Sequence, residues 1–451
     1  FNLVNKIANK LVNKVNLMNS TVGTSMSKGF EAKKVVVIGA GIVGVNCAVA
    51  LQMQGHQVTL IDKLGIGEGC SKGNAGHFAT EQVFPLADPA LLMQLPKMLL
   101  DPLGPVALSP KHFINAIPWF LKFFSNMRTK KRAENRSALK ALNKNAIEYY
   151  KPLLKAVNGQ QLLVSNGSLL VFENTPYKDV LAMHAHYRQA GIVVELLNRE
   201  QAITLEPNLH DNIQYALFFT EVGHTGDPYV ICTVLADYGK SLGMEFKQLA
   251  VESINHFETN VVINNMHEQL CFDQCVVATG AYSKNLLKGL GYHLPIEAER
   301  GYSLSISLTE NESALLSRPV ASVERKFIIT PMDRMLRLSG TVEYAGLEAK
   351  ANNKRADMLL TNAEFVLSKL PKQAYNTDEK SKERWMGCRP SLPDSLPVIC
   401  QAPHHKNIFF AVGHQHLGLT QGAITGTLIT QLMSEQATDI DLAPFCISRF
   451  N

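Results

Sequence analysis

The chain has 451 residues, 46% of them hydrophobic and 18% charged, with a net charge of +5. That length exceeds the size at which one core stops growing and predicts two domains, and the composition is that of a globular protein. The basic excess is mild and forms no aromatic-interleaved stripe, which excludes a nucleic-acid groove, so no nucleic-acid partner is expected.

In chain order, residues 1–32 read as a disordered leader, with Lys6, Lys10, Lys14 and Lys28 against the single acid Glu31. Val4, Ile7, Leu11 and Val15 repeat at helical spacing, so a basic amphipathic helix is the alternative there. The run "VVVIGAGIVGVNCAVALQMQGHQVTLID" then predicts a strand over 35–39, a helix over 42–54 and a strand over 57–62. Gly39, Gly41 and Gly44 stand in the spacing G-x-G-x-x-G: one for a tight turn, one for backbone approach to a pyrophosphate, one for close helix–strand packing. Asp62 ends the second strand, where an acid accepts from ribose hydroxyls. The unit predicts a bound dinucleotide and leaves NAD and FAD open.

From about Pro85 to Leu154 the text is helical. It includes "HFINAIPWFLKFFSNMRTKKR", an aromatic amphipathic stretch with a basic end; it reads either as a core-packed helix or as a segment lying on an anionic membrane surface. No stretch reaches the roughly 18 apolar residues that span a bilayer. "SLLVFE" and "YALFF" predict antiparallel strands. Further on, Asp227 is the expected N-cap of a helix with Pro228 at its first position, ending at Gly243 before a strand over 245–250. "QCVVATGAY" is a buried strand with a small-residue turn, "GYSLSISL" and "RMLRLSG" are strands of a mixed region, and the stretch from Asn407 to Met433 is strand, glycine turn, helix. The eight cysteines offer no C-x-x-C pair and are expected as free thiols in a reducing compartment, with Cys271 and Cys275 buried on one face of a single strand. No metal site is expected.

Taken together, "GCSKGNAG" (Gly69–Gly76), "VVATGAY", "ERGYSL" (Glu299–Leu304), "GCRPSLPDSLPVI" (Gly387–Ile399) and "GHQHLGLT" (Gly413–Thr420) follow the first fingerprint in an order that resembles the FAD-dependent D-amino-acid oxidase superfamily, and within it the bacterial D-amino-acid dehydrogenases. The resemblance covers Val35 to about Met433. It implies an α/β plus α+β architecture: a Rossmann-like, glutathione-reductase-like FAD-binding domain from 33–110, 223–290 and 385–440, interleaved with an antiparallel-sheet substrate domain from 111–222 and 291–384, then a tail at 441–451.

By the same resemblance, FAD is held by Gly39, Gly41, Gly44, Asp62 and Lys63, with Ser71, Asn74, Ala75 and Gly76 around the pyrophosphate and flavin. Val251 and Gly280 lie near the adenine end, and Gly413, His414, Gly418, Leu419 and Thr420 near the isoalloxazine. Arg389 binds the substrate carboxylate, for which its fixed fork is suited; a structural ion pair with an acid such as Asp394 is the bland alternative. Tyr302 is the expected second substrate contact, Arg300 supports the flavin, and His77 and His416 line the site.

The implied reaction is oxidation of a D-amino acid by hydride transfer from Cα to flavin N5, with electrons passed to an acceptor such as a quinone. The motif set is most similar to a subgroup with proline-type substrates, including D-hydroxyproline. Cys388 is offset by one residue from the cysteine that carries flavin covalently in the sarcosine-oxidase branch, so non-covalent FAD is expected. A cytoplasmic location follows, peripheral on the inner face of the plasma membrane if the basic segment at 112–132 associates with it. The rival readings are a peroxide-producing glycine or sarcosine oxidase, an NAD-linked dehydrogenase, and a non-catalytic flavoprotein assembly factor.

Overall fold

In the strand Lys34–Ile38, four consecutive residues are buried, the mark of a parallel strand covered on both faces. Side chains alternate across a strand, so Val35 and Val37 enter one core with the helices Ile42–Met53, Pro228–Ser241 and Gly418–Met433. Val36 and Ile38 enter another, shared with a three-stranded antiparallel sheet of Ser253–His256, Val261–Asn264 and Gln269–Phe272. The computed structural model describes residues 31–92, 104–309, 312, 315–376 and 381–450. The expected leader lies almost wholly outside them.

Lys34–Ile38 is internal to a six-stranded sheet ordered Val398–Ala402, His405–Val412, Gln274–Val277, Lys34–Ile38, Gln57–Asp62, Glu245–Gln248. All neighbours are parallel except the first pair. The predicted helix start at Asp227 is observed, its side chain accepting from Tyr229 N at 2.9 Å with Pro228 following.

A second, nine-stranded sheet has Lys382–Ser391 at one edge, then Glu297–Ser307, Met335–Tyr344, Phe327–Pro331, Val320–Ser322, Ser168–Phe172, Tyr215–Phe219 and Glu195–Asn198; Val106–Leu108 pairs beside Met335–Tyr344. Its neighbours are mainly antiparallel. Both sheets belong to one compact unit, Lys34–Asn451.

Two segments sit differently from the expected partition. Thr129–Asn143 and Ala146–Ala156 pack Leu139, Leu142, Tyr150 and Leu154 into the core of the six-stranded sheet, because their apolar stripe finds the helix Gly418–Met433 there. Lys382–Ser391, within which the expected cofactor region starts at 385, pairs into the nine-stranded sheet. The expectation for Cys271 and Cys275 fails: a break at Asp273 puts them on separate strands, Cys271 exposed and Cys275 buried. Near the C-terminus, Arg449 donates to Asp394 at 2.6 Å and to the Leu396 carbonyl at 2.7 Å, which fastens the 392–397 turn to the tail.

Candidate active site

The dinucleotide end is built largely from backbone. Gly39 sits at φ +106, where only glycine is unstrained. A Cβ on Gly44 would collide with the Gly39 carbonyl, and one on Gly39 with the Ala278 carbonyl, so helix, strand and the "ATG" turn meet at backbone distance. The helix beginning at Ile42 has no capping side chain from Gly41; the Ile42 N–H donates to Ser71 Oγ at 2.9 Å. Asp62 accepts from the N–H groups of Ala40 and Leu64, both at 2.8 Å, and retains lone pairs for further donors. Lys63 places its ammonium 3.7 Å above the Tyr282 ring. Gly280 has φ +54 with no atom within 4 Å of where a Cβ would stand, leaving an open cradle at the strand ends. A helix N-terminus facing such a cradle suits a pyrophosphate. Val251 packs at the margin of the second core.

The turn that supplies Ser71 continues into a cavity of about 810 Å³ bounded by the nine-stranded sheet. Asn74, Ala75, His77, His416 and Arg389 line it. Asn74 Oδ1 accepts from Gly76 N at 2.9 Å, and Gly76 takes φ +70 against Met332 and the Thr225 carbonyl. Gly413, at φ +82, turns the chain over Leu392. His414 does not face the cavity: its Nε2 pairs with Thr425 Oγ1 at 3.0 Å, and burial pushes it down to about 3. In the helix from Gly418, Leu419 accepts the Tyr150 hydroxyl at 2.6 Å through its carbonyl, and Thr420 Oγ1 accepts from Ala79 N at 2.9 Å. These two groups brace the site from behind.

Arg389 reaches the cavity from the edge strand, directly across from Glu299, and its Nη1 lies 3.1 Å from Glu299 Oε1. Asp394, the bland alternative partner, is engaged with Arg449 instead. The guanidinium lies over Gly301, where any Cβ would overlap it.

The polar atoms of Tyr302 and Arg300 have other partners. The Tyr302 hydroxyl donates to Glu343 Oε2 at 2.6 Å and accepts from Asn352 N at 3.1 Å, and burial followed by the Glu343 hydrogen bond pushes it up to about 12. Arg300 is fully buried, donating to Glu343 at 2.8 Å and to the Ala349 carbonyl at 2.7 Å. The expected Arg300 flavin contact is therefore corrected: alternation along Glu297–Ser307 points Glu299 into the cavity and Arg300 away from it. Tyr302 touches the cavity, but its polar atom is committed elsewhere.

The sequence pattern described as FAD dependent oxidoreductase matches residues 34–432. The chain belongs to this family of FAD-dependent oxidoreductases. It is 34% identical over 425 residues, 93% of this chain and 99% of the other, to a D-amino-acid oxidase of Bradyrhizobium diazoefficiens (strain JCM 10833 / BCRC 13528 / IAM 13628 / NBRC 14792 / USDA 110). It is 29% identical over 427 residues, 92% of this chain and 100% of the other, to a D-amino acid dehydrogenase of Vibrio atlanticus (strain LGP32). In fold it is similar to glycine oxidase from Geobacillus kaustophilus, with a TM-score of 0.68, 22% identity, and coverage of 93% and 99%. The cofactor is FAD, and the NAD-linked reading is excluded.

The open cradle at Gly280 and the backbone approach at Gly39–Gly44 fit FAD. When bound, FAD supplies a two-electron acceptor. Several groups that serve this flavoprotein's cavity escaped the sequence reading. Arg337, on the Met335–Tyr344 strand, donates to the Lys72 and Asn74 carbonyls at 3.2 and 2.8 Å and pins the Ser71–Gly76 turn. Trp385 covers Gly73 and Gly387, which a Cβ at either position would prevent. Glu81 holds His77 Nε2 at 3.0 Å, while His77 Nδ1 and Glu81 Oε2 are buried with no partner among the described residues. Their i, i+4 spacing was the available signal. Tyr344 lines the cavity near Trp119 and Phe120, and burial pushes its hydroxyl well upward. His416 is pushed down to about 4 chiefly by burial, so it is neutral at pH 7 and a weak base.

Proposed function

We propose that this flavoprotein oxidises the C–N bond of a D-amino acid to an imine, which water converts to a keto acid. The observation that carries the reading is Arg389, a guanidinium facing the cavity from a strand edge with donors left over after its bond to Glu299. In this reading Arg389 binds the substrate carboxylate bidentately, Glu299 fixes the guanidinium plane, and the Tyr344 hydroxyl stays protonated as a donor to the same carboxylate. His77, oriented by Glu81, and His416, which burial keeps neutral at pH 7, line the reacting centre. The sheet and Trp385 wall the cavity, and in this reading positioning supplies most of the protein's contribution. The names of the relatives, a D-amino-acid oxidase and a D-amino acid dehydrogenase, support the D-series.

The finer reading is a proline-type substrate, D-proline or cis-4-hydroxy-D-proline, for which the product is a cyclic imine. The acceptor is a quinone, reached at the inner face of a membrane. The FAD is held non-covalently, in keeping with Cys70 and Cys388: burial pushes Cys70 up to about 12 and raises Cys388 as well, so neither is a thiolate. The six-stranded sheet and its helices form the cofactor part, and the nine-stranded sheet the substrate part. Arg389 also speaks against the assembly-factor reading, since a scaffold has no use for a carboxylate clamp.

The test is anaerobic addition of D-proline, cis-4-hydroxy-D-proline, other D-amino acids and their L-enantiomers to the yellow protein. Bleaching by the D-series supports the reading, and the fastest substrate names the subgroup. A flavin that no amino acid bleaches would overturn it. Stoichiometric hydrogen peroxide on re-aeration would move the acceptor from quinone to oxygen and favour the glycine- or sarcosine-oxidase alternative.

A further inference from the structure

We propose that the helix Phe113–Ser125 docks this protein onto an anionic lipid surface through a second apolar face that the other described residues leave uncovered. At about 100° per residue, Ala116, Trp119 and Phe123 fall on one side of the helix and are buried, Trp119 and Phe123 in a small core with Ala87 and Met127. The indole of Trp119 fastens that side by donating to the Ser391 carbonyl at 3.1 Å. Phe113, Ile114, Ile117, Leu121 and Phe124 fall within one adjacent stripe and are 48%, 76%, 38%, 64% and 39% exposed. One apolar face is enough to seat a surface helix. A second one calls for a partner of its own.

The charge around the stripe identifies that partner. Between Gly104 and Ile147 the bases include Lys111, Lys122, Arg128, Lys130, Lys131 and Arg136, and the one acid is Glu134. Arg128, Lys130 and Lys131 are exposed just beyond the end of the helix, whereas Arg132 is engaged with Asp88. An apolar stripe with bases at its end matches the boundary between acyl chains and anionic headgroups. Phe113, Ile117 and Phe124 are exposed and also line the cavity, so the stripe rims its mouth. Docking therefore turns that mouth toward the bilayer, where an apolar acceptor would be dissolved; this orientation rests on the quinone reading above.

Co-sedimentation of the full chain with vesicles of phosphatidylglycerol and phosphatidylcholine, compared with phosphatidylcholine alone, reads docking without turnover. The expected result is at least tenfold more protein bound to the anionic vesicles at low salt. Ile114→Asp and, separately, Lys130→Glu with Lys131→Glu should each lower that binding at least fivefold while leaving flavin bleaching by D-amino acids in solution unchanged. Equal binding by wild type and variants would overturn the proposal, since the lysines of residues 1–34 are present in all of them. So would absence of binding to anionic vesicles, or a concentration-dependent dimer abolished by Ile114→Asp. Failure of bleaching with docking intact would remove the functional reading and leave the surface assignment standing.

Discussion

The two sheets build the proposed cofactor and substrate halves of the site in opposite ways. At the six-stranded sheet the work is done by backbone groups and by side chains that are missing: Gly39 and Gly280 stand just past strand ends and Gly44 in the first turn of the helix between strands, and what matters is how close main chains can come. At the nine-stranded sheet the work is done by long polar side chains brought together from distant parts of the chain, Arg389 and Glu299 across one strand pair and His77 and Glu81 from the facing turn. A backbone site tolerates almost no added atom. A side-chain site tolerates change in proportion to what each group holds.

The largest effect expected from that contrast is at Gly44. Gly44→Val should abolish flavin binding, read as loss of visible absorbance in the purified protein, because its Cβ would occupy the Gly39 carbonyl. A yellow Gly44→Val protein would mean that the close approach is dispensable. Next, Arg389→Ala should keep its flavin and lose kcat/KM equivalent to about 2–5 kcal/mol, the range for truncating one member of a buried charge pair. Gly301→Ala, which pushes on the same guanidinium, should raise KM in the same direction by less. Unchanged kinetics in Arg389→Ala would remove the clamp from the cavity.

Acid stability should expose the buried imidazoles. His224 and His416 are pushed down to about 4 and His414 to about 3, each chiefly by burial. Their unfolded value is near 6.5, so between that pH and their folded values the unfolded chain binds more protons and stability is lost as the pH is lowered. The expected observation is a thermal midpoint that is level above about pH 6.5 and drops steadily toward pH 4. A midpoint independent of pH across that window would show that these imidazoles are not held neutral. The smallest effect is expected at Tyr302: Tyr302→Phe should cost about 1 kcal/mol of stability by removing its bonds to Glu343 and Asn352. It should change kcat/KM less than threefold. A large loss of kcat/KM would return Tyr302 to the substrate.

The same contrast explains what was legible in advance. The strand Gln57–Asp62, the Asp227 cap and the G-x-G-x-x-G turn are local: their periodicity, cap chemistry and glycine spacing lie within a few residues, so the sequence alone determined a dinucleotide fold and, through its ordered motifs, the family. Cys271 and Cys275 were misread because a break at one residue, Asp273, separates two strands that periodicity joins. Arg300 was misread because alternation decides direction only once the covered face is known. Tertiary structure alone decided that Arg389 meets Glu299 rather than Asp394, that Arg337 holds the Ser71–Gly76 turn, and that the described residues cover just one of the two apolar faces of Phe113–Ser125. Each of those depends on which surfaces fold together across long separations, and chain order carries no local record of that choice.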